Sequence, residues 1–136
     1  SGKNDAPLPG TETILVVEDE PMLLDLIRQV LEEFGYRILT AGAAEDAIRL
    51  AQEHDGHIAL LLTDVVMPRM NGRELAGRLA PLRPQMKVLY MSGHTEAAII
   101  VRDIRRVRAH FLPKPFQPHD LGRKVREVLD FGEAPL

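Results

Sequence analysis

Short apolar runs alternate along this chain with stretches of helical spacing, and that alternation restricts the fold more than any other feature of the sequence. Ile14-Leu15-Val16-Val17, Arg37 to Thr40, Ile58 to Thr63, Lys87 to Met91 and Ala109 to Leu112 read as strands, three of them with the continuous apolar character of strands buried on both faces. The intervening stretches place Leu23, Ile27, Val30 and Phe34, then Ala44, Ala47, Ile48 and Ala51, then Leu75, Leu79 and Leu82 on helical stripes. Ala97, Ile100, Val101 and Ile104 form a fourth stripe, and Leu121, Val125, Val128 and Leu129 a fifth. Five strands alternating with five helices imply right-handed crossovers and a parallel sheet between two helical layers. Ligands of such sheets bind beyond the carboxyl ends of the strands, where the strand order reverses. Polar chemistry is therefore expected directly after the strands, and it is there: Glu18-Asp19-Glu20, Asp64, Ser92-Gly93 and Lys114-Pro115 follow the first, third, fourth and fifth.

With 136 residues, the chain can bury one core but not two. The expected organisation is a loose segment over residues 1–12, rich in Gly and Pro, a folded module over 13–130 and a tail over 131–136. A net charge of -3, and the lack of any basic run interleaved with aromatics, argue against direct nucleic-acid binding. Arg102, Arg105, Arg106 and Arg108 concentrate positive charge, which reads as a solvated face or a dock for an acidic surface. There is no cysteine, hence no disulfide frame and no thiolate ligand, which suits a reducing compartment and makes the cytoplasm the expected location. No apolar run approaches the roughly 20 residues of a membrane helix, and no direct membrane contact is expected.

Asp64 stands at the end of the apolar run Leu60-Leu61-Leu62-Thr63, a position suited to a nucleophilic carboxylate, although aspartates also cap turns there. Glu18 and Asp19 bring further carboxylates into the same crevice. Like charges about 4 Å apart repel by about 4 kcal/mol at an effective dielectric of about 20, so a cation is required. Mg²⁺ fits, with Mn²⁺ as a substitute, because a hard ion needs only one or two carboxylates plus water and phosphate oxygens. Glu18-Asp19-Glu20 equally suits the positive end of a helix starting near Pro21. Lys114, restricted to extended backbone by Pro115, can point its ammonium into the crevice, and Ser92 offers a hydroxyl to the same oxygens.

Together these residues resemble the receiver domains of two-component response regulators, and most closely those attached to hybrid sensor histidine kinases. The likeness runs from Thr13 to about Asp130 through Ile-Leu-Val-Val-Glu18-Asp19-Glu20, Leu-Thr-Asp64-Val-Val-Met-Pro68 with Asn71-Gly72, Val-Leu-Tyr-Met-Ser92-Gly93 and Phe111-Leu-Pro-Lys114-Pro115-Phe116. It implies a flavodoxin-like, doubly wound α/β fold with strand order 2-1-3-4-5. It implies that Asp64 accepts a phosphoryl group from a histidine kinase or histidine phosphotransfer domain, that Glu18 and Asp19 hold Mg²⁺ directly or through water, and that the Val66 carbonyl completes the protein ligands. By the same resemblance Ser92 and Lys114 contact the phosphoryl group, Ser92 and Phe111 form the switch, the Lys114-Pro115 bond is cis, and the fourth helix, fifth strand and fifth helix offer a homodimer face. The departures from the commonest pattern are Glu18 for Asp, Ser92 for Thr, Phe111 for Tyr, and Pro113, which a sheet edge tolerates.

Rival readings fit less well. A flavodoxin-like cofactor binder needs a first loop of backbone amides and small hydroxyls, and here that loop is acidic. An aspartate-nucleophile phosphatase needs a second acid two residues on, where Val66 stands. No stand-alone catalysis is expected beyond Mg²⁺-dependent self-phosphorylation and autodephosphorylation, though a parent chain could be a histidine kinase; no effector domain is read after Leu136. The remaining alternative is a degenerate receiver that binds partners without phosphorylation, which the complete set Glu18, Asp19, Asp64, Ser92 and Lys114 disfavours.

Overall fold

A computed structural model describes residues 10–93 and 110–132. The fourth helical stripe, His94 and the arginines at 102–108 lie outside the described residues. Strands β1 (Thr13–Val17), β2 (Arg37–Ala41), β3 (Leu60–Asp64), β4 (Lys87–Ser92) and β5 (His110–Pro113) form one parallel sheet in the order β2-β1-β3-β4-β5. Among the described residues the helices are α1 (Pro21–Glu33), α2 (Ala44–Glu53), α3 (Gly72–Leu79) and α4 (Pro118–Phe131). The doubly wound fold and the strand order are those the resemblance implied.

Alternation along the strands divides the core into two layers. Leu15, Val17, Leu61 and Val88 pack with Ala47 of α2 and Leu75 and Leu79 of α3. On the other face Ile14, Val16, Leu60 and Leu62 meet Ile27 and Leu31 of α1 and Leu121, Val125 and Val128 of α4. Every residue of β3 is buried because both its faces are covered, which is why its sequence shows no polar alternation. At about 1.5–3 kcal/mol for each large apolar side chain removed from water, these layers supply the main drive to fold.

Several boundaries differ from the sequence reading for local reasons. Ile58 and Ala59 precede β3, although Ile58 is fully buried and Ala59 bonds Thr13 and Lys87 through its backbone. Leu82 is not on the third helix: Pro81 has no N–H to extend the ladder, the helix ends at Leu79, and Leu82 is 43% exposed. Phe131 is the last residue of α4 rather than the first of a tail. Residues 10–12 are tied down. The Gly10 N–H donates to the Phe34 carbonyl at 2.9 Å, and the Arg37 N–H to the Glu12 carbonyl at 3.0 Å. Gly35, at φ +100°, ends α1 with the Gly35 N–H on Glu32 and the Tyr36 N–H on Leu31, a Schellman pattern open to glycine because it has no Cβ.

Candidate functional site

The carboxyl ends of β1, β3 and β4 and the segment after β5 converge on one crevice, lined by Glu18, Asp19, Asp64, Val66, Met91 and Lys114 among others. Parallel pairing aligns these ends: Val17 lies opposite Thr63, Asp64 opposite Met91, and Ser92 opposite Pro113. Asp64 is the last residue of β3 and is 4% exposed, and Glu18, one residue past β1, is 1% exposed. Asp19 is open to solvent. One carboxylate oxygen from each of Glu18, Asp19 and Asp64 lies within 4.8 Å of the others. The Lys114 ammonium reaches in between, 2.5 Å from Asp64 Oδ1 and 2.8 Å from Glu18 Oε1. The backbone holds Lys114 in place: its N–H donates to the Ser92 carbonyl at 2.8 Å, and its bond to Pro115 is cis.

The loop after Asp64 is set by its own hydrogen bonds. Val65 donates to the Met91 carbonyl at 3.0 Å and Gly72 to the Val65 carbonyl at 2.8 Å. Between them the Met70 N–H reaches back to the Pro68 carbonyl at 2.8 Å, around Arg69 at φ 71°. Asn71 caps α3 by accepting the Glu74 N–H at 2.8 Å. Gly72 packs so closely that a Cβ there would sit 2.0 Å from the Asp64 carbonyl oxygen. Val66 is held out at the crevice rim, exposed.

Charge in the crevice is unbalanced. Three carboxylates face one ammonium, a sum of -2 if all are ionised. Burial, then the neighbouring Glu18, push the Asp64 carboxyl well above the ordinary range. Burial also raises Glu18, but bonds with Asp64, Lys114 and the Glu20 amide outweigh it and hold Glu18 low. Asp19 is raised by burial and by Glu18. Burial opposes the Lys114 charge, yet Asp64 and Glu18 together raise its pKa. The donors are all oxygen and their charge is in excess, so the cluster suits a hard divalent cation.

Of the residues singled out from the sequence, Glu18, Asp19, Asp64, Val66 and Lys114 come together here. Ser92, the last residue of β4, is 9% exposed and lies between Met91 and Gly93, which line the crevice. It shares a strand face with Tyr90, which pairs with Phe111, and the two rings lie 5.9 Å apart. The acidic cluster is not a conventional helix cap: Glu20, at the N-cap of α1, makes no side-chain capping bond, whereas Glu18 accepts the Glu20 N–H at 3.2 Å. Sequence reasoning missed the support that Gly72 gives to Asp64. Asn71-Gly72 was singled out only among the motifs of the resemblance, which says nothing of what the glycine touches.

Residues 14–126 match the family model described as the response regulator receiver domain. The chain belongs to that family. As a receiver domain it is 33% identical over 127 residues to the sensor kinase CckA of Brucella abortus (strain 2308), a match covering 90% of this chain and 13% of that protein. It is 32% identical over 116 residues to the response regulator receiver protein CpdR of the same strain, covering 85% of this chain and 95% of CpdR. Among solved structures, the CheY-like receiver domain protein of Methanospirillum hungatei JF-1 superposes with a TM-score of 0.76 at 30% identity, covering 89% of this receiver and 95% of that chain. Among the described residues, no helix is long and apolar enough to cross a membrane.

Proposed function

We propose that this receiver domain, with residues 13–130 as its module, takes a phosphoryl group onto Asp64 from a phosphohistidine of a histidine kinase or histidine phosphotransfer domain. The observation that carries this reading is the buried Asp64 carboxylate, 2.5 Å from the Lys114 ammonium and among the oxygens of Glu18 and Asp19. An Asp64 oxygen attacks phosphorus as the P–N bond to the donor imidazole breaks, and the nitrogen leaves with the electron pair. Lys114 stays beside the incoming phosphoryl oxygens, and the crevice walls hold the carboxylate in line. Positioning and charge stabilisation account for most of such catalysis. Mg²⁺, or Mn²⁺ in its place, would be held by Asp64, the Val66 carbonyl, and Glu18 and Asp19 directly or through water. When bound, the ion supplies the positive charge that the transferring oxygens need.

Ser92 and Phe111 are the proposed switch: the Ser92 hydroxyl turns toward the phosphoryl group and the Phe111 ring follows inward. A cytoplasmic setting goes with this reading, since kinase and phosphotransfer partners must reach the crevice. The homodimer face includes the fourth helical stripe, which lies outside the described residues. Intact-mass measurement after incubation with acetyl phosphate and Mg²⁺ tests the assignment. Wild type should gain one phosphoryl group and Asp64→Asn none. A stoichiometric gain in the Asn variant removes Asp64 as the acceptor, whereas no gain in either protein favours a receiver that acts without phosphorylation.

A further inference from the structure

Thr63 stands in a setting that calls for an apolar side chain. It is fully buried in β3, between Leu61 and Val65 on its own strand face, with Val17 and Tyr90 opposite it on the neighbouring strands. Valine would fill the same space without a polar atom, and a buried hydroxyl costs free energy unless it is bonded. The Thr63 hydroxyl is bonded: it donates to the Asp64 carbonyl oxygen at 3.1 Å, and the Met67 sulfur, a weaker acceptor, lies 3.8 Å away. That carbonyl belongs to the peptide joining Asp64 to Val65, whose N–H donates to the Met91 carbonyl at 3.0 Å. Both polar ends of one peptide unit are thus held, the oxygen by a side chain and the N–H by β4. Gly72, where a Cβ would meet the Asp64 carbonyl oxygen at 2.0 Å and the Thr63 methyl at 3.1 Å, closes over it.

We infer that Thr63 is a positioning residue for Asp64: its hydroxyl stops the Asp64–Val65 peptide from rotating and so fixes the direction in which the Asp64 carboxylate leaves the backbone. A peptide unit is planar, so the soft rotations beside it are ψ of Asp64 and φ of Val65. Without the Thr63 bond the Asp64 carbonyl is a buried acceptor that turns about these bonds toward another donor, and the carboxylate on the same Cα is re-aimed with it. A small misplacement of a reacting group slows a reaction many-fold. The effect on transfer rests on the reading of Asp64 as phosphoacceptor; the bond itself does not.

Two substitutions in the whole chain separate the hydroxyl from the methyl group. Thr63→Val keeps the shape and loses the hydroxyl, whereas Thr63→Ser keeps the hydroxyl and loses the methyl. In ¹³C spectra of the metal-free protein, the Asp64 carbonyl resonance should move upfield in Thr63→Val, as for a carbonyl that loses a hydrogen bond, and hold its place in Thr63→Ser. Phosphorylation by acetyl phosphate at saturating Mg²⁺, followed by intact mass, should be roughly tenfold slower than wild type in Thr63→Val and within about twofold of it in Thr63→Ser, the first a change of about 1.4 kcal/mol. A purely structural role would reverse that order, because serine leaves a gap and valine does not. An Asp64 carbonyl resonance that is the same in wild type and Thr63→Val overturns the inference. So does a Thr63→Val rate equal to that of wild type, or a Thr63→Ser rate as slow as that of Thr63→Val. If wild type itself accepts no phosphoryl group, the proposed function fails, while the carbonyl resonance still decides whether Thr63 holds the Asp64 peptide.

Discussion

At the scale of single residues, the site depends on close approaches that leave no slack. Gly72 is the clearest case: a Cβ would meet the Asp64 carbonyl oxygen at 2.0 Å and its carbon at 3.0 Å. Both are backbone atoms, so no rotamer change relieves the overlap, and the first turn of α3 would have to move off β3. Forcing a methyl group into well-packed surroundings costs about 1–3 kcal/mol. Gly72→Ala should therefore lower the urea midpoint with an unchanged m-value, and the displaced Asp64 should be phosphorylated more slowly. An unaltered midpoint would mean that α3 does not rest on Asp64 as tightly as these distances require.

At the scale of elements, β4 and β5 are arranged to link the crevice to the sheet edge. Ser92 ends β4, Tyr90 lies two residues earlier on the same face, and Phe111 of β5 is Tyr90's partner in register. Phe111 is partly buried and its ring is tilted 34° to that of Tyr90. An aromatic ring can bury about 150–250 Å², so a partial change in its burial is worth on the order of 1 kcal/mol at about 25 cal/mol per Å². That would shift a two-state balance several-fold without making it all-or-none. Beryllofluoride, a phosphoryl mimic, should move the amide resonances of Tyr90 and Phe111 in wild type and much less in Ser92→Ala. Equal shifts in the two proteins would remove Ser92 as the coupling group. Pro113 sits in β5 at the sheet edge, where a missing donor is tolerated.

At the scale of the whole molecule, the chain's entry is fastened to its last helix. Arg126 of α4 donates to both Glu12 oxygens, at 3.1 and 2.7 Å, as well as to Asp130 and to the Tyr36 hydroxyl. The bond from Arg126 holds the Glu12 carboxyl at about 2, against an ordinary value of 4.5. A depressed carboxyl pKa means that this contribution is complete above about 4.5 and is lost as pH falls toward 2. Glu12→Gln should cost about 1 kcal/mol at pH 7, the upper range for a partly exposed pair with paired geometry. The gap between the two melting temperatures should narrow below pH 4.5 and close near pH 2. A gap independent of pH would assign the effect to packing alone.

The same contrast between near and distant contacts divides what could be read from the chain. The alternation of strand and helix periods, the polar ends of the strands and the Pro21 start of α1 are local patterns, and the residues themselves determined them. Burial of both sheet faces imposes those periods, so fold class and the neighbourhood of Asp64, Asp19 and Lys114 were legible. Strand order was not readable from periodicity, since helical crossovers of similar length can pair strands in several orders; resemblance implied the order and the sheet carries it. The tie of Glu18 to Lys114 across 96 residues, the anchoring of Glu12 by Arg126 and the contact of Gly72 with Asp64 were decided only by tertiary structure. Each depends on how helices and strand ends settle to within an ångström of one another, and residue type and spacing place no bound that fine on contacts between distant parts of a chain.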